Sequence, residues 1–184
     1  MMVTVDSVDH FNTVIQGNIE GLEQGITLLT LMTNEQYCMR ARPYVESSIG
    51  EHLRHVLDLY LALKRGSEKI IVDYDVRRRG ALVESCRRTG LVELKQIKTW
   101  LLSLQPDHMN KTIIISTAVS VVNTLTTQIK TSLLRELVFV SSHAIHHYAL
   151  MNVTAKLCDF QAPENMGLAP ATLTALRNDN SCVQ

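Results

Sequence analysis

The chain has 184 residues, 46% of them hydrophobic, and its 18 Lys+Arg balance 18 Asp+Glu, so the formal charge at pH 7 is zero. That length suits a single domain over 1–184, able to bury about 70% of its unfolded surface. The balanced charge argues against wholesale binding to nucleic acid or to an anionic membrane, and the apolar runs are too short and too interrupted to span a bilayer. The opening Met1-Met2-Val3-Thr4-Val5-Asp6 lacks the basic flank and apolar core of a secretory signal, so a cytoplasmic protein is expected. The four cysteines, Cys38, Cys86, Cys158 and Cys182, show no CxxC spacing and are expected as plain thiols.

In chain order, Phe11, Ile15, Ile19, Leu22, Ile26 and Leu29 recur at spacings of three and four, which predicts a first helix from about Ser7 to Met32. Asp6 and Asp9 suit its first turn. A polar connection broken by Pro43 leads to a second helix, about Ser48 to Arg65, with Ile49, Leu53, Val56, Tyr60 and Leu63 as its stripe and a stop near Gly66. The stretch Val72 to Gly80 reads as an acidic-then-basic loop. A third helix is predicted from about Ala81 to Leu104, with Gly90 weakening it. The β-branched runs Thr112-Ile113-Ile114-Ile115-Ser116 and Ser120-Val121-Val122-Asn123-Thr124 read as two short strands joined by a turn. A fourth helix follows, about Ser132 to Leu157. From about residue 160 the tail is expected to be irregular, with one short helix after Pro170. The fold class predicted is all-α, an up-and-down four-helix bundle with a small β-hairpin-like insert before the last long helix. Trp100 and Tyr60 are expected in the core.

Three of the seven histidines, His143, His146 and His147, fall within five residues of the fourth helix. His143 and His147 are spaced i, i+4, with Cβ atoms about 6 Å apart on one helix face, close enough for both rings to reach one metal ion. On the helical wheel His147 lies beside Val140 in the most apolar sector, with His143 about 40° further round and His146 beyond it, beside Phe139 and Leu157. Burying neutral imidazoles leaves ring nitrogens that need partners, and a metal supplies one to each. A second pair, His52 and His55, sits on the second helix. Periodicity slightly favours His52, which lies among Val56, Leu59 and Leu63, but it leaves the choice between the two open.

The segment Ser48-Ile49-Gly50-Glu51-His52-Leu53-Arg54-His55-Val56-Leu57-Asp58, followed far downstream by His143-Ala144-Ile145-His146-His147, resembles the DinB family, the DinB/YfiT type of metal-binding four-helix proteins (the damage-inducible family, not the polymerase of that name). The resemblance implies one ligand on the second helix and two on the last: His55, His143 and His147, with His52 and His146 as runners-up. His55 is preferred because Asp58 follows it by three residues, as in several family members. It further implies a bound divalent ion, zinc or nickel, with an open fourth position. The family includes thiol-dependent transferases and isomerases, so a metal-bound thiolate or water as nucleophile, a low-molecular-weight thiol cofactor and a small-molecule substrate are expected. The alternative is a non-catalytic metal-binding or stress-response accessory protein. A homodimer is expected from family habit.

Ala144 stands where a metalloprotease HExxH motif carries its general base, which weakens a peptidase reading. Candidate catalytic acids are Glu136, about two turns before His143, and Glu51 and Asp58, which flank His55. Each could equally orient a ligand imidazole or sit on a solvated face. Arg77 and Arg79, in the run Arg77-Arg78-Arg79, are candidates to grip the carboxylates of a thiol cofactor. The bland reading for them is solvent, or pairing with Asp73 and Asp75.

Overall fold

Helix α1 (Val5–Leu31) buries Phe11, Leu22, Leu28 and Leu29 along one face. Its buried polar side chain Asn18 is satisfied on both ends: its amide donates to the Val14 carbonyl, and its Oδ1 accepts from the Tyr60 hydroxyl at 2.9 Å. The structure is a computed structural model that describes residues 5–108 and 111–181; Met1 to Thr4 and Cys182 lie outside them. Thr33 and Gln36 form a reciprocal capping box that starts the short α2 (Asn34–Cys38). Ser48 and Glu51 do the same for α3 (Ile49–Lys69). Each box satisfies orphan N–H groups that would otherwise be lost at the helix start.

Two helix boundaries differ from the sequence reading. Helix α3 runs through Gly66 to Lys69 and ends where Ile70 takes a left-handed conformation, with φ of 73°. Gly66 is there for close approach: a Cβ at that position would stand 2.3 Å from the Val72 side chain and 2.7 Å from the Ile71 carbonyl. The predicted 81–104 helix is in fact a single 3-10 turn, Leu82–Glu84, followed by α4 (Arg87–Ser103). Gly90 does not interrupt α4. It lets Leu53 of α3 and Leu29 of α1 pack directly onto the helix backbone.

The all-α four-helix bundle is corrected by the sheet. Strands β1 (Ile71–Asp73), β2 (Thr112–Ala118) and β3 (Thr126–Ser132) form a three-stranded mixed sheet in that order, with β1 parallel and β3 antiparallel to β2. The fold is therefore mixed, helices with a sheet. The insert is no isolated hairpin, because the strand leaving α3 pairs with it. Three residues are too few for β1 to leave a period-2 pattern in the sequence. The second predicted strand is also displaced. Residues 120–124 form the turn, where the Ser120 hydroxyl accepts from the backbone N–H of Val122 and Asn123 at 3.2 and 3.0 Å. A serine that satisfies the local backbone competes with a ladder, whatever the β propensity of its neighbours.

Register sets the two faces of the sheet. Ile115 pairs with Ile129 and Thr117 with Thr127, and Val72 lies opposite Ile115 on the other side. Val72, Ile113 and Ile115 are buried against the helices, whereas Ile71, Asp73, Gln128 and Lys130 are exposed on the alternate face. Helix α5 (Leu133–Leu157) starts directly after β3, capped by Ser132, whose hydroxyl accepts from the Arg135 N–H. Helix α5 packs on α3 and α1, and α4 packs on α1 and α3. Tyr37, Tyr60 and Tyr148 are fully buried between them, and Trp100 is 8% exposed. The last helix, α6 (Pro170–Ser181), opens with proline, whose missing N–H is harmless in a first turn. Among the described residues no helix is long and apolar enough to cross a membrane.

Gly50 stands at the tightest point of this frame, where a Cβ would lie 2.1 Å from the Glu84 carbonyl oxygen. Gly50→Ala is expected to cost about 3 kcal/mol through overpacking against immovable backbone. Exposed Gly17 of α1 meets nothing within 4 Å, so Gly17→Ala should stabilise by about 0.5–1 kcal/mol through helix propensity alone. Urea unfolding of the two variants checks both signs.

Candidate metal centre

Helix α3 contributes His52 and His55, and α5 contributes His143 and His147. The two helices cross so that Nε2 of His55 and Nε2 of His143 are 2.9 Å apart, with Nε2 of His147 3.0 Å from that of His143. These three residues each offer a nitrogen, all within 4.8 Å of one another, and among the described residues they are the group of that kind. His52 approaches from the far side: its Nδ1 lies 3.1 Å from Nδ1 of His147, not from the converging Nε2 atoms. His146 is exposed, its ring 5.5 Å from His147 and 6.2 Å from His143.

The hydrogen-bond chain follows from one fixed donor. The Arg77 guanidinium contacts Nδ1 of His55 and can only donate, so Nδ1 accepts and the neutral ring carries its proton on Nε2. That proton points at Nε2 of His143, which must accept. His147 then also donates from Nε2, leaving its Nδ1 to accept from Nδ1–H of His52. The chain ends at Nε2 of His52, which is buried without a partner. Two N–H groups thus compete for the single lone pair on His143.

Burial keeps all four rings neutral. Desolvation first, then Arg77 and His143 beside it, lowers His55 to about 4. Desolvation and the surrounding histidines lower His147 to about 3. His143 is lowered by burial and then by His146 and Arg77, and His52 chiefly by burial.

The candidate acids separate sharply. Asp58 is 2% exposed and fully engaged: it accepts from Arg54 at 3.2 Å, from the Arg78 backbone N–H at 3.1 Å and from Arg78 Nε at 2.6 Å. Glu51 serves the capping box and pairs with Arg40 at 2.7 Å; burial raises its carboxyl, but the Ser48 and Arg40 hydrogen bonds outweigh that and lower it. Their hydrogen bonds go to arginines and to helix backbone, so both hold structure and act on His55 and His52 only through their charge. Glu136 is different. It is 2% exposed, accepts from the Tyr74 hydroxyl at 2.9 Å and from Arg135 at 2.8 Å, and faces the same cavity as His143. Burial, then Glu136, raises the Tyr74 hydroxyl well above its ordinary range, so it stays a donor.

Two cavities meet at the histidines. One, of about 480 Å³, lies between the inner face of the sheet and helices α3 and α5; Leu59, Ile115, Ile129 and Phe139 give its apolar walls, and Arg77, Glu136, His55 and His143 its polar end. The other, of about 630 Å³, is polar and holds Glu51, His52, Arg54, Arg79, Glu84 and His147. Arg77 borders both, while Arg79 reaches only the second. Sequence reasoning missed Tyr74, Arg135, Phe139 and the sheet residues. Only the strand register brings Ile115 and Ile129 to the site, and no local signal reports it.

No family model matches the chain. It is 25% identical over 158 residues to FK506-binding protein 5 of Rhizopus delemar, an alignment covering 85% of this chain and 36% of that protein. The chain therefore spans about a third of the length of the curated relative it matches. Neither finding tests the DinB resemblance drawn from the histidine motifs; what the structure corrects is the pure four-helix bundle that it implied, since a three-stranded sheet is present.

The depressed histidines give acid sensitivity with a definite sign. Between about pH 3–4 and the ordinary value near 6.5, the unfolded chain binds protons that folded His55 and His147 do not. Stability of chelator-treated protein should therefore fall as pH drops from 6.5 toward 4. Urea midpoints across that range should flatten in a His55→Gln/His147→Gln double variant; an equally steep profile in the variant would remove these two rings as the cause.

Proposed function

We propose that the protein binds one divalent cation through Nε2 of His55, His143 and His147 and uses it as a metal-dependent enzyme on a small molecule. The observation that carries this reading is the convergence of three half-buried, neutral imidazoles at the boundary of two cavities, with no fourth protein ligand among the described residues. Around a tetrahedral zinc with bonds of about 2.0–2.1 Å, neighbouring nitrogens stand about 3.3 Å apart. The observed 2.9 and 3.0 Å need only a small opening. A cation would also relieve the competition of two N–H groups for one lone pair. Three nitrogen ligands suit zinc, nickel or another borderline ion.

Such an ion supplies Lewis acidity and can lower the pKa of a bound water or thiol. The chain's own residues supply the rest. Glu136, held by Tyr74 and Arg135, is the acid placed to exchange a proton with a substrate in the sheet-side cavity. His52 orients His147 through its second nitrogen. A ring ligated at Nε2 carries its proton on Nδ1, so Arg77 must leave Nδ1 of His55 when the site fills, because two donors cannot share one contact. A thiol cofactor is one occupant of the fourth position that this site accommodates. A reducing, cytoplasmic setting fits Cys38, an exposed free thiol. The second reading, a non-catalytic metal-binding protein, would need the fourth position closed; His52 is turned to the wrong nitrogen to close it.

Elemental analysis of untagged protein tests the ligand set. Wild type should hold about one divalent ion per chain; His55→Ala, His143→Ala and His147→Ala should lose it, and His146→Ala should keep it. His52→Ala should keep the ion with affinity weakened roughly 10- to 100-fold, the usual effect of removing a partner of a ligand. Arg77→Met should bind zinc about tenfold tighter, a gain of about 1.4 kcal/mol. Stoichiometric metal in His143→Ala, or none in reconstituted wild type, would end the proposal.

A further inference from the structure

We propose that the sheet-side cavity binds an organic monocarboxylate, its carboxylate on the Arg77 guanidinium and its apolar body against Leu59, Ile115, Ile129 and Phe139. This names the ligand class of the candidate site above and rests on that reading for the reaction, though not for the binding.

The argument begins with the basic run. Arg78 is consumed by Asp58 and Glu93, and Arg54 by Asp58 and Glu84. Arg77, half-buried between them, makes no ion pair with a carboxylate among the described residues; its hydrogen bond goes to an imidazole nitrogen. Asp58 and Asp75 act on it only through their charge, without direct contact, so its planar fork is left to match a carboxylate in bidentate fashion.

The charges of the lining point the same way. Two cations, Arg77 and Arg135, and one anion, Glu136, face the cavity. The charge of Glu136 is matched by Arg135, and its other oxygen accepts from Tyr74. Lys130 also borders the cavity, but it pairs with Ile114 in the ladder and so alternates to the opposite face from Ile115 and Ile129. The histidines are neutral. In the metal-free protein Arg77 is thus the inward-facing cation that no lining carboxylate matches, and a bound divalent ion would add to its pull on an anion.

The walls define the rest. Ile115 and Ile129 are cross-strand partners on the inner face, Phe139 and Leu59 close the space from α5 and α3, and the volume of about 480 Å³ lies within the range of small-molecule sites. Ile129 is 54% exposed despite facing this cavity, so its side chain presents apolar surface that a ligand would cover. A carboxylate on Arg77 would set the adjoining part of the molecule beside His143 and His55.

Calorimetry with 4-phenylbutanoate, hexanoate and their amides, on chelator-treated and on zinc-loaded protein, tests the proposal. Wild type should prefer each carboxylate over its amide by at least about tenfold, the scale of one charge-assisted contact. The preference should fall below about twofold in Arg77→Met and partly return in Arg77→Lys, with Phe139→Ala weakening 4-phenylbutanoate more than hexanoate. Methyl NMR shifts at Ile115 and Ile129 in wild type locate the ligand without any variant. Equal affinity for acid and amide, no saturable binding at millimolar concentration, or a preference that survives in Arg77→Met would overturn it. Carboxylate binding by protein that takes up no zinc would uphold this proposal and end the metal reading; zinc uptake with no carboxylate preference would do the reverse.

Discussion

The burial of one carboxylate organises the site. Asp58 sits in the middle of α3, withdrawn from water, where an unpaired anion would cost several kcal/mol. It is compensated by Arg54 one turn earlier and by the backbone and side chain of Arg78, and Arg78 reaches on to Glu93 of α4. Glu84 extends the same network, accepting from Arg54 and from the Gly80 N–H. The segment between β1 and α4 is thereby tied to two helices rather than left as a loose crossover. With Arg78 fixed on Asp58, its neighbours have little freedom: Arg77 is delivered to His55, and Arg79 remains exposed at the mouth of the polar cavity. A run of three arginines is divided into a structural tie, a site residue and a rim residue by a single buried acid.

How much of this the sequence disclosed depends on the range of the interaction. The i, i+4 pair His143 and His147 and a histidine-bearing second helix were legible, since both are local patterns on helices whose apolar stripes are strong. The choice between His52 and His55 was not legible from periodicity. The wheel reports which residues face the core, whereas the helix crossing decides which nitrogen meets which; it turns His52 to Nδ1 of His147 and His55 to Nε2 of His143. The structural duty of Glu51 could have been read from Ser48-x-x-Glu51, a capping box at a predicted helix start. The duty of Asp58 could not, because its partner Arg78 is twenty residues away in a connection with no periodic signal. The sheet was half legible: Thr112 to Ser116 announced a strand, but the β1 partner is three residues long, and the threonine-rich β3 is less apolar than the valine-rich turn before it.

The sheet matters because it gives the histidines two unequal sides. On the polar side the acids are already matched, Glu51 by Arg40 and Glu84 by Arg54, and Arg79 stands exposed at the mouth. On the sheet side the walls are aliphatic and aromatic, and the polar groups gather at one end around His143, Glu136 and Arg77. Apolar walls with a few convergent polar groups are how small-molecule sites fix orientation, since burial supplies attraction without direction and the polar end supplies direction. A purely helical bundle would close that space with side chains from a neighbouring helix. A twisted strand pair supporting Ile115 and Ile129 leaves it open, and so the departure from the all-α expectation is also what gives the candidate centre a place for a ligand.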